Sequence, residues 1–356
     1  MPAISIGEIW GNAWPILVAI IVFLILIMIH EFGHFIFAKM LGVKVNEYSI
    51  GFGPAIFKKQ GKETLYSFRA IPFGGYCAME GEESESDNPR GFCNKKPWRR
   101  FLIIIAGALF NIILGFIFVV FTLIPEKQFA TTTVAEFRQT EEFSPVSCNY
   151  GLMVDDKIIE VDGRHIFSTI DLSYAFSGVK DGKLDMVVIR NGEKVTLNDV
   201  HFDHVEEEGI SFVVCDFYVY GQRKTFFSTI AESARQTLSY SRTVWFSLID
   251  LISGKYGISQ MSGPVGVTAV ISKAAKTGLN TLLPIMALIT INLGIFNLLP
   301  IPSLDGSRAV FILIEMIFRK PVPRKYEAIV HAVGLAVLLC FIAFITVKDI
   351  VGFFVG

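Results

Sequence analysis

The sequence predicts a polytopic α-helical membrane protein with four transmembrane helices, a membrane-associated β element and a soluble α/β domain. Three observations support this fold class. Hydrophobic residues make up 52% of the 356 residues and charged residues only 18%, so many side chains face something other than water. Four segments have the length of about 20 mostly apolar residues that a spanning helix needs. A long segment between the second and third of them is rich in β-type patterns.

The first half of the predicted membrane core is 1–124. Its first span, about 14–40, contains the unbroken apolar run Ile16–Ile29. No Lys or Arg precedes Lys39, so the basic start of a cleavable signal peptide is missing and we predict a retained helix. The second predicted span is 101–124.

The cytoplasmic loop 41–100 between these spans has strand character. Apolar and β-branched residues alternate with polar ones in three stretches punctuated by glycine, which we predict as strands: Tyr48–Gly53, Glu63–Ala70 and Gly74–Ala78. Glu82–Arg90 is polar and lacks a periodic apolar face, so we predict a mobile loop there.

Region 125–225 is predicted to be a separate soluble domain. Asn191-Gly192 is the two-residue signal of a type I′ turn, and it predicts a hairpin of Leu184–Arg190 and Glu193–Leu197. Further strands are predicted at Phe129–Phe137, Lys157–Val161 and Gly209–Val214.

The segment 226–278 is predicted to be an interfacial amphipathic helix followed by a connector. Residues 227–252 mix polar and apolar residues at helical spacing, and four charges disfavour a span: Glu232, Arg235, Arg242 and Asp250. The second half of the membrane core, 279–356, holds a third span at about 279–302 and a fourth at 328–347. A Leu-Asp-Gly segment lies between these two spans.

The charges of the loops predict the orientation. Lys and Arg are concentrated between the first two spans and again between the last two, and cytoplasmic loops carry such an excess. If the helices alternate in direction, both basic loops lie on the cytoplasmic side only when the N-terminus is outside. We therefore predict a multi-pass protein of the cell (inner or plasma) membrane, with both termini and region 125–225 extracytoplasmic.

Charge and cysteine content exclude several functions. The formal net charge is −1, and no basic tract with interleaved aromatic residues indicates binding to nucleic acid. The five cysteines never form a CxxC pair, so neither a disulfide framework nor a cysteine zinc site is indicated. A disulfide between Cys148 and Cys215 stays open if that region is extracytoplasmic.

The first span contains the HExxH pattern His30-Glu31-Phe32-Gly33-His34. Two histidines four residues apart lie one turn apart on one helix face, close enough to share a tetrahedral zinc. Glu31 is then placed to act as general base toward water activated by the metal. A charged group costs about 2.5–3.5 kcal/mol at membrane depth, so a functional role is favoured over burial for packing alone.

A catalytic zinc site usually has three protein ligands. The best remaining carboxylate is Asp305, which follows the third span after Pro300 and Pro302 break the regular helix. From the residues alone, two interpretations stay open. Asp305 is either the third ligand at a hydrated break in the membrane or a helix cap at the cytoplasmic boundary.

The HExxH pattern in a first transmembrane helix, with the NxxPxPxLDG segment 297–306 in a later one, resembles the site-2 protease family of intramembrane zinc metalloproteases. The similarity covers nearly the whole chain and is greatest to the bacterial branch that cleaves anti-sigma factors and signal-peptide remnants. Further matching segments are Phe73-Gly74-Gly75-Tyr76, which resembles the membrane-reentrant β-loop, Gly107 with Asn111 in the second helix, and Ser262–Gly266, which contains GPxG. The resemblance implies one Zn²⁺ per chain, held by His30, His34 and Asp305, with Glu31 as the catalytic base.

The resemblance also implies how substrates bind. Asn297 is expected to contact the substrate, and Asn292 either does the same or is satisfied between helices. We predict that a substrate helix unwinds and pairs with a strand edge in residues 63–78, which include Gly74 and Gly75. Asn111 is expected to help hold the extended backbone. The expected partners are single-pass membrane proteins and the lipid bilayer, in regulated intramembrane proteolysis on the cytoplasmic side.

The middle domain resembles a single PDZ domain. The stretch Ser144-Pro145 followed by Gly151–Gly163 is similar to a PDZ segment, with Asp155 standing where glycine is usual. The resemblance implies that this domain contacts the substrate or a terminus left by site-1 cleavage. Two modes stay open: capture of a peptide at a sheet edge and a size filter over the active site.

Other residues and other functions have weaker signals in the sequence. His201 and His204 are predicted to be loop histidines, His331 to be hydrogen-bonded between helices, and Gly334 to be a packing contact. A membrane metal transporter is one alternative function, but the sequence has no second HExxH-like segment of the kind an internal repeat would give. A catalytically silent PDZ-bearing scaffold is another, and the complete set of candidate site residues argues against it.

Overall fold

The structure, a computed structural model, describes residues 6–82, 84–139, 144–207, 210–257 and 260–355. The chain forms two compact units. The first unit comprises Met1–Phe118 together with Ser262–Gly356, and the second is Val119–Met261. The predicted boundaries of the domains stay predictions.

The described residues include eight α-helices and ten strands. The helices are α1 (Ile6–Met40), α2 (Pro97–Leu123), α3 (Thr169–Ala175), α4 (Phe226–Ile252), α5 (Pro264–Thr277), α6 (Leu279–Leu298), α7 (Asp305–Phe318) and α8 (Arg324–Val355). The strands are β1 (Val45–Gln60), β2 (Leu65–Met79), β3 (Gln128–Phe137), β4 (Lys157–Val161), β5 (Arg164–His165), β6 (Lys183–Arg190), β7 (Glu193–His201), β8 (His204–Glu207), β9 (Ile210–Val213) and β10 (Phe217–Arg223).

Four of the described helices are long and apolar enough to cross a membrane, in agreement with the four predicted spans: Ala13–Met40, Pro97–Leu123, Leu279–Leu298 and Lys325–Gly352. The helix α6 ends at Leu298, four residues before the predicted end of its span. The reason is local, because Pro300 and Pro302 remove backbone donors and clash with a preceding turn.

The strands β1 and β2 form a hairpin, and the two ends of β2 pair with the same residues of β1. Residues 65–68 run parallel to 47–50, whereas residues 75–78 run antiparallel to them, so β2 reverses direction between these ends. The second and third predicted strands are therefore confirmed as separate pairing segments, and residues 57–60 form a further one that was not predicted. The pairing of β2 passes through several register shifts. Gly74 accommodates this irregularity at φ 102°, a backbone conformation that only glycine adopts readily.

The segment 82–90 is irregular, as expected from its composition, but it makes more contacts than the predicted mobile loop would. Arg90 pairs with Glu63 at 2.6 Å, and the Ser86 hydroxyl donates to Glu80 at 2.8 Å. Glu82 pairs with Arg308 near the start of α7. Polar composition indicated a loop correctly, but it did not reveal these partners.

The core of the first unit positions α1 against its neighbours. Leu26 of α1 is fully buried in a cluster with Ile271 of α5 and with Leu282 and Met286 of α6. Nearer the end of α1, a second cluster joins α1, β1, β2, α2 and α7 through Ala38, Val43, Val45, Met79, Ile103, Ile104, Ala309 and Ile312. These two clusters fix the face of α1 that carries the HExxH histidines.

The second unit contains an antiparallel sheet of order β10-β3-β4-β6-β7, with β5 paired to β4 and a separate β8–β9 hairpin. The predicted turn at Asn191-Gly192 is confirmed: Arg190 pairs with Glu193, and both turn residues have positive φ, 51° and 87°, as a type I′ turn requires. Asp155 also has positive φ, 71°, so aspartate takes the left-handed conformation where glycine is usual.

Candidate active site

Three ligand-type side chains from two distant parts of the chain meet in the first unit. His30 Nε2 lies 3.0 Å from Asp305 Oδ2, and His34 Nε2 lies 3.1 Å from the same oxygen. The two Nε2 atoms are 3.2 Å apart. Both histidines are buried. In the part of the chain that the structure describes, this is the one group of three or more such side chains close enough to share a metal ion.

The donor set fits zinc. Ligand atoms at about 2.0–2.1 Å from a tetrahedral zinc are about 3.3 Å apart, and the three distances here are 3.0–3.2 Å. Two imidazoles and one carboxylate are also a ligand set that zinc takes in catalytic sites, where a fourth position stays open. His30, His34 and Asp305 would therefore hold the metal.

The groups behind the imidazoles support this assignment. His34 Nδ1–H donates to the backbone carbonyl of Ile103 at 2.8 Å, which leaves Nε2 unprotonated for the metal. Asn111 Nδ2 lies 3.2 Å from His30 Nδ1. The Oδ1 atom of the same carboxamide is buried without a hydrogen-bond partner among the described residues. Turning the carboxamide by about 180° would place Oδ1 at His30 Nδ1 as the acceptor that a zinc-ligating imidazole needs there.

Two glycines let α1 and α2 approach closely enough for these contacts. A Cβ on Gly107 would lie 2.4 Å from His34 Nε2 and 2.9 Å from His30 Cε1. On the facing helix, a Cβ on Gly33 would lie 2.5 Å from the carbonyl oxygen of Ala106. Small residues at such crossings allow membrane helices to pack backbone to backbone. Gly107 therefore leaves the space that both imidazoles occupy.

Asp305 reaches the histidines because α6 stops before it. The chain leaves α6 at Leu298 and turns through the proline segment. It then starts α7 at Asp305, whose N-cap is Leu304. The alternative that Asp305 is an ordinary helix cap is therefore wrong, and its carboxylate faces both imidazoles.

Helix α8 supports the segment that precedes Asp305. Ser303, at φ 75°, donates its N–H to His331 Nδ1 at 3.1 Å and its hydroxyl to the His331 carbonyl at 2.8 Å. A Cβ on Gly334 would lie 2.1 Å from Pro302 Cβ. The prediction that Gly334 is a packing contact is confirmed. His331 is hydrogen-bonded as predicted, but its partner lies in the turn before α7 and not in another helix.

Glu31 lies beside the three ligands on a cavity of about 600 Å³. The cavity is lined by His30, Glu31, His34, Asn46, Tyr76, Cys77, Ala78, Met79, Glu80, Gly81, Glu82, Ser84, Ile104, Asp305 and Arg308. The backbone of β2 passes the general-base candidate closely, since a Cβ on Gly75 would lie 3.3 Å from Glu31 Cγ. A water molecule and a peptide therefore have room next to this carboxylate.

Sequence reasoning missed the ion pair of Glu82 with Arg308 on this cavity. Burial acts to lower the pKa of Arg308, but the neighbouring Glu82 carboxylate outweighs it and raises the pKa. One signal was available: Arg308 lies three residues after Asp305, on the same face of α7. Glu82 gave no comparable signal, because it belongs to a polar segment without periodicity.

The predicted substrate-binding residues are not among those that line the cavity. Asn297 Nδ2 donates to the Leu293 carbonyl of its own helix at 3.0 Å. Asn292 Oδ1 is buried and has no hydrogen-bond partner within the described ranges. Gly74 approaches Phe52, and Asn111 is fully buried against His30. Their roles in substrate binding stay predictions.

The prediction that His201 and His204 are loop histidines was wrong, because His201 is the last residue of β7 and His204 is the first residue of β8. His201 stacks on Tyr150 with ring centroids 4.0 Å apart. Cys148 and Cys215 are both free thiols, and so are the other three cysteines.

Two imidazoles and a carboxylate in one cluster, with a further glutamate on the same cavity, fit a metal-dependent hydrolase. The two imidazoles come from a helix apolar enough to span a membrane. The model of Peptidase family M50 matches residues 18–341. The chain therefore belongs to peptidase family M50, the site-2 protease family.

Three curated bacterial relatives, all named as zinc metalloproteases, are similar along their whole length. A protein of Clostridium acetobutylicum is 35% identical over 345 residues, 94% of this chain and 97% of the relative. Relatives of Clostridium perfringens and Fusobacterium nucleatum are each 33% identical, and each covers 94% of this chain and 98% of its own length. The protein is thus a metallopeptidase with a zinc cofactor. The transporter and scaffold alternatives find no support in these comparisons.

Proposed function

We propose that this protein is an intramembrane endopeptidase that cuts single-pass membrane proteins in or near their transmembrane segments, in regulated intramembrane proteolysis. One observation carries the proposal. The ligand atoms of His30, His34 and Asp305 lie within 3.2 Å of one another, and both histidines belong to Ala13–Met40, a helix apolar enough to span a bilayer. Hydrolysis at such a site takes place where membrane segments are accessible.

The residues of this chain have distinct roles in the proposed reaction. Bound zinc supplies Lewis acidity toward the scissile carbonyl and the attacking water. Glu31 takes the proton of that water on its carboxylate and delivers it to the leaving amine. Asn111 and the Ile103 carbonyl hold the two imidazoles in orientation. Arg308 and Glu82 line the cavity as a pair.

We infer that the substrate binds as an added strand along β2. Residues 76–79 of β2 line the cavity, and their partners in β1 occupy only one side of the strand. Residues 75–79 pair with β1 on one side only, so the other edge of this end of β2 offers backbone donors and acceptors to an unwound peptide. A helix that unwinds along this edge exposes its carbonyls next to Glu31.

The proposal includes an orientation and a substrate class. Basic loops support an active site toward the cytoplasmic side, with both termini and region 125–225 outside. The substrates are of the anti-sigma-factor or signal-peptide-remnant type, as the resemblance implies. Region 125–225, as a single PDZ-like domain, contacts the substrate or a terminus left by a first cleavage, by peptide capture or by size exclusion.

The test uses the purified full-length protein in liposomes with a model single-pass membrane peptide. Wild type should cut the peptide within its apolar segment, as mapped by mass spectrometry, and a chelator should stop the reaction. Glu31→Gln should keep one zinc per chain and lose cleavage by at least about 10²-fold, since general-base catalysis contributes that much. His34→Ala and Asp305→Ala should lose the metal.

The matched control is Glu193→Gln, which changes an exposed glutamate of the β6–β7 hairpin and should cleave normally. Normal cleavage by Glu31→Gln would refute the proposed mechanism. Cuts confined to the water-soluble tails of the peptide would refute the intramembrane assignment.

A further inference from the structure

Helix α4 is amphipathic, but it buries its polar face and exposes its apolar face. Its buried residues are mostly polar: Thr229, Glu232, Ser233, Thr237, Ser239 and Asp250, with Val244 the apolar exception. Its exposed large side chains are apolar, including Phe227 at 82%, Leu238 at 52%, Trp245 at 46% and Ile252 at 85%. A helix that rested on a protein core in water would have the opposite arrangement.

The polar face of α4 is committed to α3 and to Arg164 of β5 in the second unit. Asp250 accepts hydrogen bonds from Arg164 at 3.0 Å and from the Tyr174 hydroxyl at 2.8 Å. Arg242 donates to Asp171 at 2.9 Å. Because these buried groups are satisfied by one another, rotating the helix to hide its apolar face would leave them unpaired. The apolar face therefore stays outward.

The outward face is one continuous stripe. At 100° per residue, positions 227, 230, 234, 238, 245, 249 and 252 fall within about 60° of a single line along the helix. These positions carry Phe, Ile, Ala, Leu, Trp, Ile and Ile, and Ser241 is a polar residue in the same sector. Arg235, whose side chain is 48% exposed, lies at one margin of the stripe, as cations do on helices that bind a lipid surface.

The start of α4 is tied to the end of a membrane span. Lys224, just before the Thr225 N-cap, donates its Nζ to the carbonyls of Leu123, Ile124 and Glu126. Leu123 is the last residue of α2, one of the helices apolar enough to cross a bilayer. The chain therefore enters α4 at the level where α2 leaves the lipid.

From these observations we propose that α4 lies in the membrane interface with its apolar stripe in contact with lipid. Helices of this kind bury their apolar face about 5–10 Å into the boundary of headgroups and acyl chains, and Trp245 suits that boundary because its indole has both apolar and polar parts. Since its polar face bonds to α3 and to Arg164, α4 anchors the second unit to the membrane surface.

The experiment uses full-length protein in phosphatidylcholine liposomes with Trp245 as the single tryptophan, after Trp10→Phe, Trp14→Phe and Trp98→Phe. Lipids brominated near the headgroup end of the acyl chains should lower its emission to roughly half, as expected for a side chain at that depth. Acrylamide in the water should quench it weakly.

The control protein carries Trp245→Phe and Lys194→Trp, which moves the single tryptophan to an exposed position of β7. Acrylamide, and not the brominated lipid, should quench it. Matching circular dichroism spectra and thermal midpoints of the two proteins check that both are folded. Strong acrylamide quenching of Trp245 without lipid quenching would overturn the proposal. So would protection of Trp245 from both quenchers, because a protein surface would then cover the stripe.

Discussion

The two imidazoles of the metal site differ in the group that orients them. His34 is held by the backbone carbonyl of Ile103, which no side-chain substitution removes. His30 is held by the side chain of Asn111, a fully buried residue of α2. The difference makes the role of Asn111 accessible to mutagenesis, whereas that of Ile103 is not.

Asn111→Leu should lower the affinity for zinc by about 10–100-fold, the usual effect of losing a partner of a ligating histidine. The leucine offers no acceptor to His30 Nδ1–H, so the ring loses its fixed tautomer. Asn111→Asp should retain most of the affinity, because a carboxylate oxygen also accepts from Nδ1–H. Competition with a chromogenic chelator measures each affinity.

Asn297→Leu is the matched control, since this asparagine bonds to its own helix, and it should bind zinc like wild type. An unchanged zinc affinity for Asn111→Leu would show that His30 does not depend on this amide.

At this scale the sequence predicted the local part of the site and missed the distant part. His30, Glu31 and His34 follow from helical spacing alone. Asp305, 275 residues from His30, needed the family resemblance to decide between ligand and cap. The contacts of Asn111 with His30 and of Gly107 with both rings depend on the α1–α2 crossing, which no spacing within one helix specifies.

The β1–β2 hairpin is the element that brings an extended backbone to the active site, and its turn is held by charges. Glu63, in this turn, accepts from Lys39 at the end of α1 at 2.6 Å and from Arg90 at 2.6 Å. These hydrogen bonds lower the pKa of Glu63 to about 2, from about 4.3 in an unfolded chain.

The stabilisation from Glu63 should therefore be complete above about pH 5 and disappear as the pH falls through about 4 toward 2, because the folded state holds the carboxylate ionised. Glu63→Gln should lower the thermal midpoint of the detergent-solubilised protein at pH 6, by the equivalent of about 1 kcal/mol or less for a partly exposed pair. The gap from wild type should close near pH 2. In an Arg90→Met background the gap at pH 6 should be smaller. A difference in thermal midpoint between wild type and Glu63→Gln that did not change with pH would contradict the ionised state of Glu63 as its cause.

Helices were predicted better than strands for a physical reason. An apolar run of the required length predicts a membrane span, and a proline predicts where its helix ends, as at Pro300. Apolar alternation and glycine spacing predicted the separate segments near 65–68 and 75–78. They did not predict that both segments pair with residues 47–50, or that residues 57–60 form a further paired segment. Such pairings depend on contacts between segments, which the local sequence does not specify.

At the scale of the whole molecule, the metal site belongs to one compact unit. All three ligands lie in Met1–Phe118 and Ser262–Gly356, whereas Val119–Met261 contributes none. Bound zinc would link α1 to α7, which are far apart in the sequence. Only the family resemblance predicted this link. Zinc binding should stabilise the first unit because the unfolded chain does not hold the three ligands together.

Removal of zinc should thus lower the stability of the first unit and leave the second unchanged. At a free zinc concentration of 1,000 times Kd, binding contributes about 4 kcal/mol, so a chelator should lower the unfolding midpoint of the first unit by several degrees. Single-tryptophan proteins separate the two units, because Trp98 lies in α2 of the first unit and Trp245 in α4 of the second. The chelator should shift the transition reported by Trp98 and not the one reported by Trp245. In Asp305→Ala, the Trp98 transition should already be low and should not respond to the chelator. Equal shifts at both tryptophans would mean that the metal stabilises the chain as a single cooperative body, and the assignment of its effect to one unit would be wrong.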